Sequence, residues 1–180
     1  MTLAPAGGVV RDTTDDDLEA IQAIYAHYVL KECSSFEEVV PDAAGMGHRC
    51  VEVMKRRLPY IVAEEEGTVR GGSYATPYRT RSAYCYTIED SICVAHEALG
   101  HGLGGQLLSE LIERCTALGY RQMVAAIGDS DNTAAIILHG KCEFRATGVL
   151  TSVGFKRGRW TDSMIMQRPL GDADISLPSA

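Results

Sequence analysis

The sequence predicts an α/β fold, a central twisted mixed β-sheet flanked by helices and built as one domain. Three patterns predict it. Short runs alternate apolar and polar residues with the period of a strand. Longer runs repeat apolar residues at the spacing of one helix face. The two kinds follow one another in the order β-α-α-β-β-β-α-β-α-β-β. At 180 residues the chain has the length of a single domain with a genuine core.

"VVRDTT", at 9–14, reads as a short strand ending at a helix start. Thr14 or Asp15 caps that helix, and the acids of "DDDLEA" suit the positive end of its dipole. Leu18, Ile21, Ile24, Tyr25 and Tyr28 then recur at helical spacing. A second helix is expected over 42–57, with a start blurred by Gly45 and Gly47. "YIVAEE" and "TVRGGSYAT" are two strands around a turn at Gly67. "YCYTIEDSICVA", 84–95, is a longer strand with Tyr86, Ile88, Ile92 and Val94 on one face and Thr87, Glu89 and Ser91 on the other. After a glycine cluster, Leu103, Leu107, Leu108, Leu111, Ile112, Cys115 and Leu118 form one helical stripe, stopped by Gly119. "RQMVAAIG" is a strand, "SDNTAAIILHGKC" a helix, and "FRATGVLTSVGF" and "RWTDSMIMQRPL" the last two strands. The domain is expected at 9–170, between flexible tails at 1–8 and 171–180.

Composition narrows the function. A formal charge of −7 argues against a nucleic-acid partner, which needs a surplus of Lys and Arg on one face. A small anion remains possible, because a helix N-terminus holds one without net positive charge. The six cysteines contain no C-x-x-C pair and no Cys/His cluster at zinc spacing, so no metal is expected. No run approaches the roughly 18 apolar residues of a membrane span, and "MTLAPAGGVV" lacks the charged and apolar regions of a signal peptide. A cytoplasmic protein is expected.

The run "ALGHGLGGQLL", 98–108, carries the first chemical signal. Gly100, Gly102 and Gly105 match G-x-G-x-x-G, but a dinucleotide fold places that fingerprint on its first β-α unit, and here three strands precede it. A purely structural turn is a second reading, since glycine supplies positive φ at strand–helix junctions. A third is a phosphate cradle of another kind, with bare backbone N–H groups and a helix N-terminus offered to the anion.

The element order, with that loop between the fourth strand and the third helix, resembles the GNAT N-acetyltransferases. Their loop, (Arg/Gln)-x-x-G-x-(Gly/Ala), wraps the pyrophosphate of acetyl-CoA. Gly102-Leu103-Gly104 matches its core, with Leu99 where Arg or Gln is usual. Seven strings in order, "IYAHYV", "SSFEE", "YATPYRTRSAY", "YTIEDSICV", "GYRQMVAAIGDSDN", "LHGKCEF" and "SVGFKRGRW", are similar to the phosphinothricin N-acetyltransferases and their relatives. Gly140 and Glu143 stand where those relatives usually show Glu and Gly, and Gly72 replaces a larger side chain.

The resemblance implies acetyl transfer from acetyl-CoA, without a metal, to the amino group of a small amino-acid-like acceptor such as phosphinothricin or methionine sulfone. Such transfer needs a neutral amine, a place for its proton and a held thioester. Glu89, mid-strand among small polar neighbours, is the candidate general base; an ion pair with Arg79 or Arg81 is its alternative. His139 has a pKa range that suits acid or base duty at the leaving thiolate, or else it is structural. The resemblance assigns the cofactor to Ile92, Cys93 and Val94, to the loop Leu99, Gly100, His101, Gly102, Leu103, Gly104 and Gly105, and to Asn132, which serves equally well as a helix N-cap. Arg79, Arg81 and Tyr84 are acceptor-binding candidates, since Arg grips a carboxylate or phosphinate by two hydrogen bonds. Phe36 and the segment Lys156–Trp160 close the pocket by resemblance, and a homodimer is implied. Cys85 and Cys93 raise an acyl-cysteine route, which needs a nearby base and a lowered pKa. The alternatives are a GNAT enzyme for a different small amine and a low-activity acyl-CoA-binding module.

Overall fold

Arg11 sets the start of the fold. It lies on β1 (Val9–Asp12) and gives two hydrogen bonds to Asp17, at 2.7 and 2.8 Å, and two to Glu64 on β2 (Tyr60–Glu65), at 2.7 and 3.0 Å. Asp17 also accepts from the backbone N–H of Thr14 at 2.8 Å, which fixes the 3-10 turn Asp15–Asp17 at the mouth of α1 (Leu18–Lys31). Thr14 is the N-cap of that 3-10 turn, and Asp17 stands at the N-cap of α1. The computed structural model describes residues 8–178, so the expected tail positions 1–7, 179 and 180 lie outside the described residues.

The remaining elements follow in the expected order: α2 (Ala43–Lys55), β3 (Thr68–Pro77), β4 (Thr87–Val94), α3 (Leu103–Ala117), β5 (Gln122–Gly128), α4 (Thr133–Lys141), β6 (Arg145–Lys156) and β7 (Arg159–Pro169). The blurred start of α2 is settled by Asp42, whose side chain accepts from the Gly45 N–H at 2.7 Å. One seven-stranded sheet runs β1-β2-β3-β4-β5-β7-β6. Every neighbouring pair is antiparallel except β4–β5.

The two faces of the sheet are read from adjacent glycines on β3. A methyl group on Gly71 would meet Leu107 of α3, whereas one on Gly72 would meet Ile21 of α1. Since neighbouring strand residues point to opposite faces, α3 covers one face and α1 with α2 the other. The stripe Leu103, Leu107, Leu108, Leu111, Ile112 and Cys115 is buried as the sequence implies. Each such leucine contributes roughly 1.5–3 kcal/mol relative to exposure.

Two expectations need correction. Leu118 is exposed, because α3 ends at Ala117 and Leu118 is its C-cap. The strand expected from Tyr84 starts at Thr87; β3 ends at Pro77, and residues 82–84 close a 3-10 turn instead. Past Pro169 the chain makes turns in which Ala173 N–H donates to the Leu170 carbonyl and Ile175 N–H to that of Asp172.

The Arg11 hydrogen bonds hold the Asp17 carboxyl at about 2, against the opposing effect of burial. A folded-state value below the unfolded one, 3.8, makes its contribution complete above that pH and lost as pH falls through the folded value. Asp17→Asn is therefore expected to lower stability by roughly 2 kcal/mol at neutral pH. In urea unfolding, the gap between wild type and variant should close on acidification below the unfolded value.

Candidate active site

The parallel pairing of β4 with β5 is short. Thr87, Ile88 and Glu89 register with Gln122, Met123 and Val124, and no further pair follows, although β4 runs to Val94 and β5 to Gly128. The strands part after Glu89. On its other edge β4 stays paired with β3 as far as Val94–Gly71. Alternation in that antiparallel ladder turns the backbone groups of Ile92 and Val94 towards the gap. The Tyr28 hydroxyl occupies those of Val94, donating to its carbonyl at 2.6 Å and lying 3.3 Å from its N–H. The gap thus presents the open peptide edge of Ile92.

The glycine loop lies at the wide end of this gap. Gly100 and Gly102 take φ of +85° and +86°, a region that costs other residues about 1–2 kcal/mol. Gly102 is the N-cap of α3 and has no side chain to bond the first-turn N–H groups, which remain available to an anion. Space lies open where side chains would stand at Gly100, Gly102 and Gly105, whereas Gly104 packs on Leu138 of α4. Leu99 and His101 are exposed on the loop, His101 lying 3.8 Å from Glu65. A helix N-terminus with bare amides beside an open strand edge fits a pyrophosphate joined to an amide-bearing arm. Among the described residues, no cluster of three or more His, Cys, Asp or Glu side chains is gathered as a metal site would need.

Glu89 lies on the α1/α2 face, opposite Thr76 of β3. Burial pushes its pKa up; Arg79 opposes this and the neighbouring Asp90 adds to it. No ion pair with Arg79 or Arg81 forms: Arg79 donates to the Tyr78 carbonyl and stacks over the Tyr78 ring at 4.2 Å. Tyr84 meets Tyr78 edge-on, so Arg79 and Tyr84 share one aromatic cluster beside the start of β4, with Arg81 exposed nearby in sequence.

His139 does not join Glu89. It lies 3% exposed against the other face of β4, its Nε2 3.0 Å from Asp90 Oδ2 and its Nδ1 2.8 Å from the Ala135 carbonyl. Burial lowers its pKa, but the hydrogen bond and charge of Asp90 outweigh this and raise it overall. Both nitrogens are engaged inside the protein, and neither faces the cleft on the Glu89 side. Asp90 was missed in the sequence, although a carboxylate in the middle of the apolar face Ile88–Ile92–Val94 is the signal that marks it. Asn132 caps α4 by accepting from Ala135 N–H at 3.2 Å.

On the Glu89 face a crevice opens between α1, α2 and β2–β4, lined in part by Tyr25, Arg49, Tyr60, Gly72, Tyr74 and Ser91. Arg49 binds Glu37 through both terminal nitrogens, at 2.8 and 3.1 Å. Neither residue stood out in the sequence, because their pairing depends on the path of the 32–42 segment. Phe36 in that segment packs over Gly154 of β6. Lys156 is buried, makes no ion pair with a carboxylate among the described residues and donates to the Ser35 carbonyl at 2.6 Å, and burial lowers its pKa. Phe155 and Trp160 are exposed and meet edge-on. Burial pushes the Cys93 thiol up to about 12, opposite to what an acyl-cysteine route needs.

This arrangement has counterparts among known proteins. Residues 21–144 match the Acetyltransferase (GNAT) family. The chain belongs to that family. This GNAT chain is 52% identical over 176 residues to a phosphinothricin N-acetyltransferase of Alcaligenes faecalis, covering 98% of the chain and 89% of the relative. It is 35% identical to an L-methionine sulfoximine/L-methionine sulfone acetyltransferase of Salmonella typhimurium, covering 91% and 95%. A GNAT phosphinothricin acetyltransferase from Sinorhizobium meliloti, solved in complex with AcCoA, superposes with a TM-score of 0.93 at 42% identity, covering 96% and 94%.

The Tyr28 hydroxyl holds the Val94 end of this GNAT frame through one side chain. Tyr28→Phe strips the partner from the Val94 carbonyl and is expected to cost about 1–3 kcal/mol, read as a fall in the denaturation midpoint.

Proposed function

We propose that this protein transfers the acetyl group of acetyl-CoA directly to the amino group of a small amino-acid-like acceptor of the phosphinothricin or methionine sulfone kind, with Glu89 as general base. The observation that carries the mechanism is Glu89 itself, a carboxylate with a raised pKa where β4 and β5 part, on the face of the acceptor-side crevice. The relatives in phosphinothricin and methionine sulfoximine/sulfone acetylation support the acceptor class.

Acetyl-CoA would supply an activated thioester, and the amides at Gly102–Gly105 with the open edge of Ile92 are the groups that would hold its pyrophosphate and arm. The protein's residues do the rest. An acceptor amine arrives largely protonated, and Glu89 takes its proton, directly or through water. A raised pKa makes the carboxylate a better base than an ordinary surface glutamate. The amine nitrogen then forms its bond to the acetyl carbon as the carbon–sulfur bond breaks, and the second proton that the nitrogen sheds in becoming an amide goes to the departing thiolate, which leaves as the free thiol. Arg79 and Arg81 offer cationic partners for the acceptor's acid group. In this reading His139 holds structure on the far face and moves no proton.

Mass spectrometry of a mixture of protein, acetyl-CoA and methionine sulfone or phosphinothricin is expected to show the N-acetyl product. Glu89→Gln should cut kcat by roughly 10²–10⁴-fold. In the wild type kcat/KM should fall as pH drops through the raised Glu89 pKa, because only the deprotonated carboxylate accepts the proton. Acetyl-CoA binding without product from any small amine would support an acyl-CoA-binding module instead.

We also propose a homodimer formed along β6. That edge strand is exposed over most of its length and carries exposed Val149, Leu150, Val153 and Phe155, with Trp160 across the hairpin. A long apolar sheet edge of this kind calls for a partner. Sedimentation is expected to give twice the chain mass, and Val153→Glu with Phe155→Glu to give the monomer.

A further inference from the structure

Where two strands part, their separation is no longer set by backbone hydrogen bonds. β4 and β5 lose their ladder after Glu89–Val124. Asp90 is the first residue beyond it, and its side chain turns to the α3/α4 face. There Oδ2 meets His139 Nε2 at 3.0 Å with both side chains almost wholly buried. The imidazole is fixed at its other end by Ala135, whose carbonyl accepts from Nδ1 at 2.8 Å and whose own N–H is capped by Asn132. Asn132 N–H in turn donates to the Asp129 carbonyl, one residue past the end of β5. A chain of hydrogen bonds therefore runs from β4 through α4 to the end of β5, closing a bracket around the gap.

The same helix also fixes the glycine loop. Leu138, the neighbour of His139, packs where a Gly104 side chain would stand, within the first turn of α3. A displaced α4 would disturb both the width of the gap and the position of the α3 N-terminus. We propose that Asp90 and His139 are positioning residues that hold these two halves of the acetyl-CoA site in register, and that they act through hydrogen-bond geometry and not through proton transfer. This rests on the acetyl-CoA reading above.

An asparagine tests the distinction, because its amide N–H can donate to Nε2 of a neutral imidazole whose Nδ1–H still donates to Ala135. The tie survives and the charge does not. With the full chain, acetyl-CoA affinity is measured by calorimetry, and kcat and both KM values by product formation. Asp90→Ala is expected to weaken acetyl-CoA binding and raise its KM by about tenfold, with the acceptor KM little changed. Asp90→Asn should restore most of both. If Asp90→Ala fails to fold, Asp90→Ser, too short to reach the ring, takes its place. Unaltered acetyl-CoA affinity in Asp90→Ala or Asp90→Ser overturns the proposal. So does an Asp90→Asn enzyme that binds acetyl-CoA normally and has lost kcat, since the pair would then serve proton transfer. Failure of the wild-type chain to bind acetyl-CoA would instead strike the functional reading.

Discussion

The parting of β4 and β5 is the constraint on which the site depends. A parallel pair is held by evenly spaced hydrogen bonds, and breaking off that ladder in the middle of a sheet leaves peptide groups that need other partners. Here the breach is bounded on each side. Tyr28 reaches from α1 to satisfy Val94 at its far end. Asp90 turns to α4 at its near end. What remains open between them is a short strip of backbone beside a helix N-terminus, the kind of surface that suits an extended arm ending in phosphate.

The sheet also separates tasks by its two faces. Successive residues of β4 point in opposite directions, so Glu89 and Asp90 are neighbours in sequence and strangers in environment. One carboxylate faces the crevice under α1 and α2, where burial and a nearby arginine compete over its protonation. The other is locked to an imidazole against the opposite layer. Glu89 and His139, two separate candidates in the sequence, lie on opposite faces, and the sheet itself stands between them.

Elements were legible in the sequence wherever the signal was local. Periodicity located all seven strands and four helices, and the glycine loop declared its positive φ by its composition. What depended on distant packing was hidden. The apolar stripe carried Leu118 along with it, although the helix had already ended. Tyr84 and Cys85 looked like strand because they continue an alternation, yet β3 had no residues left to pair with them. Within the candidate site, Glu89 and the loop could be found from the chain alone. Arg49 with Glu37, and the tie between Asp90 and His139, appear only when separate parts of the chain meet.

The segment 32–42 has no regular structure and looks like a lid, but it is pinned at several points. Lys156 donates to the Ser35 carbonyl, and Arg157 to that of Leu30 just before it. The Ser34 carbonyl sits so close over Gly128 that any side chain there would collide with it, and Phe36 is seated on Gly154. Each anchor comes from β5, β6 or the β6–β7 turn. The segment is thus a doorframe and not a door. An acceptor meets a wall already in place, so discrimination among acceptors falls to shape and charge at the rim, and little ordering entropy is lost on entry.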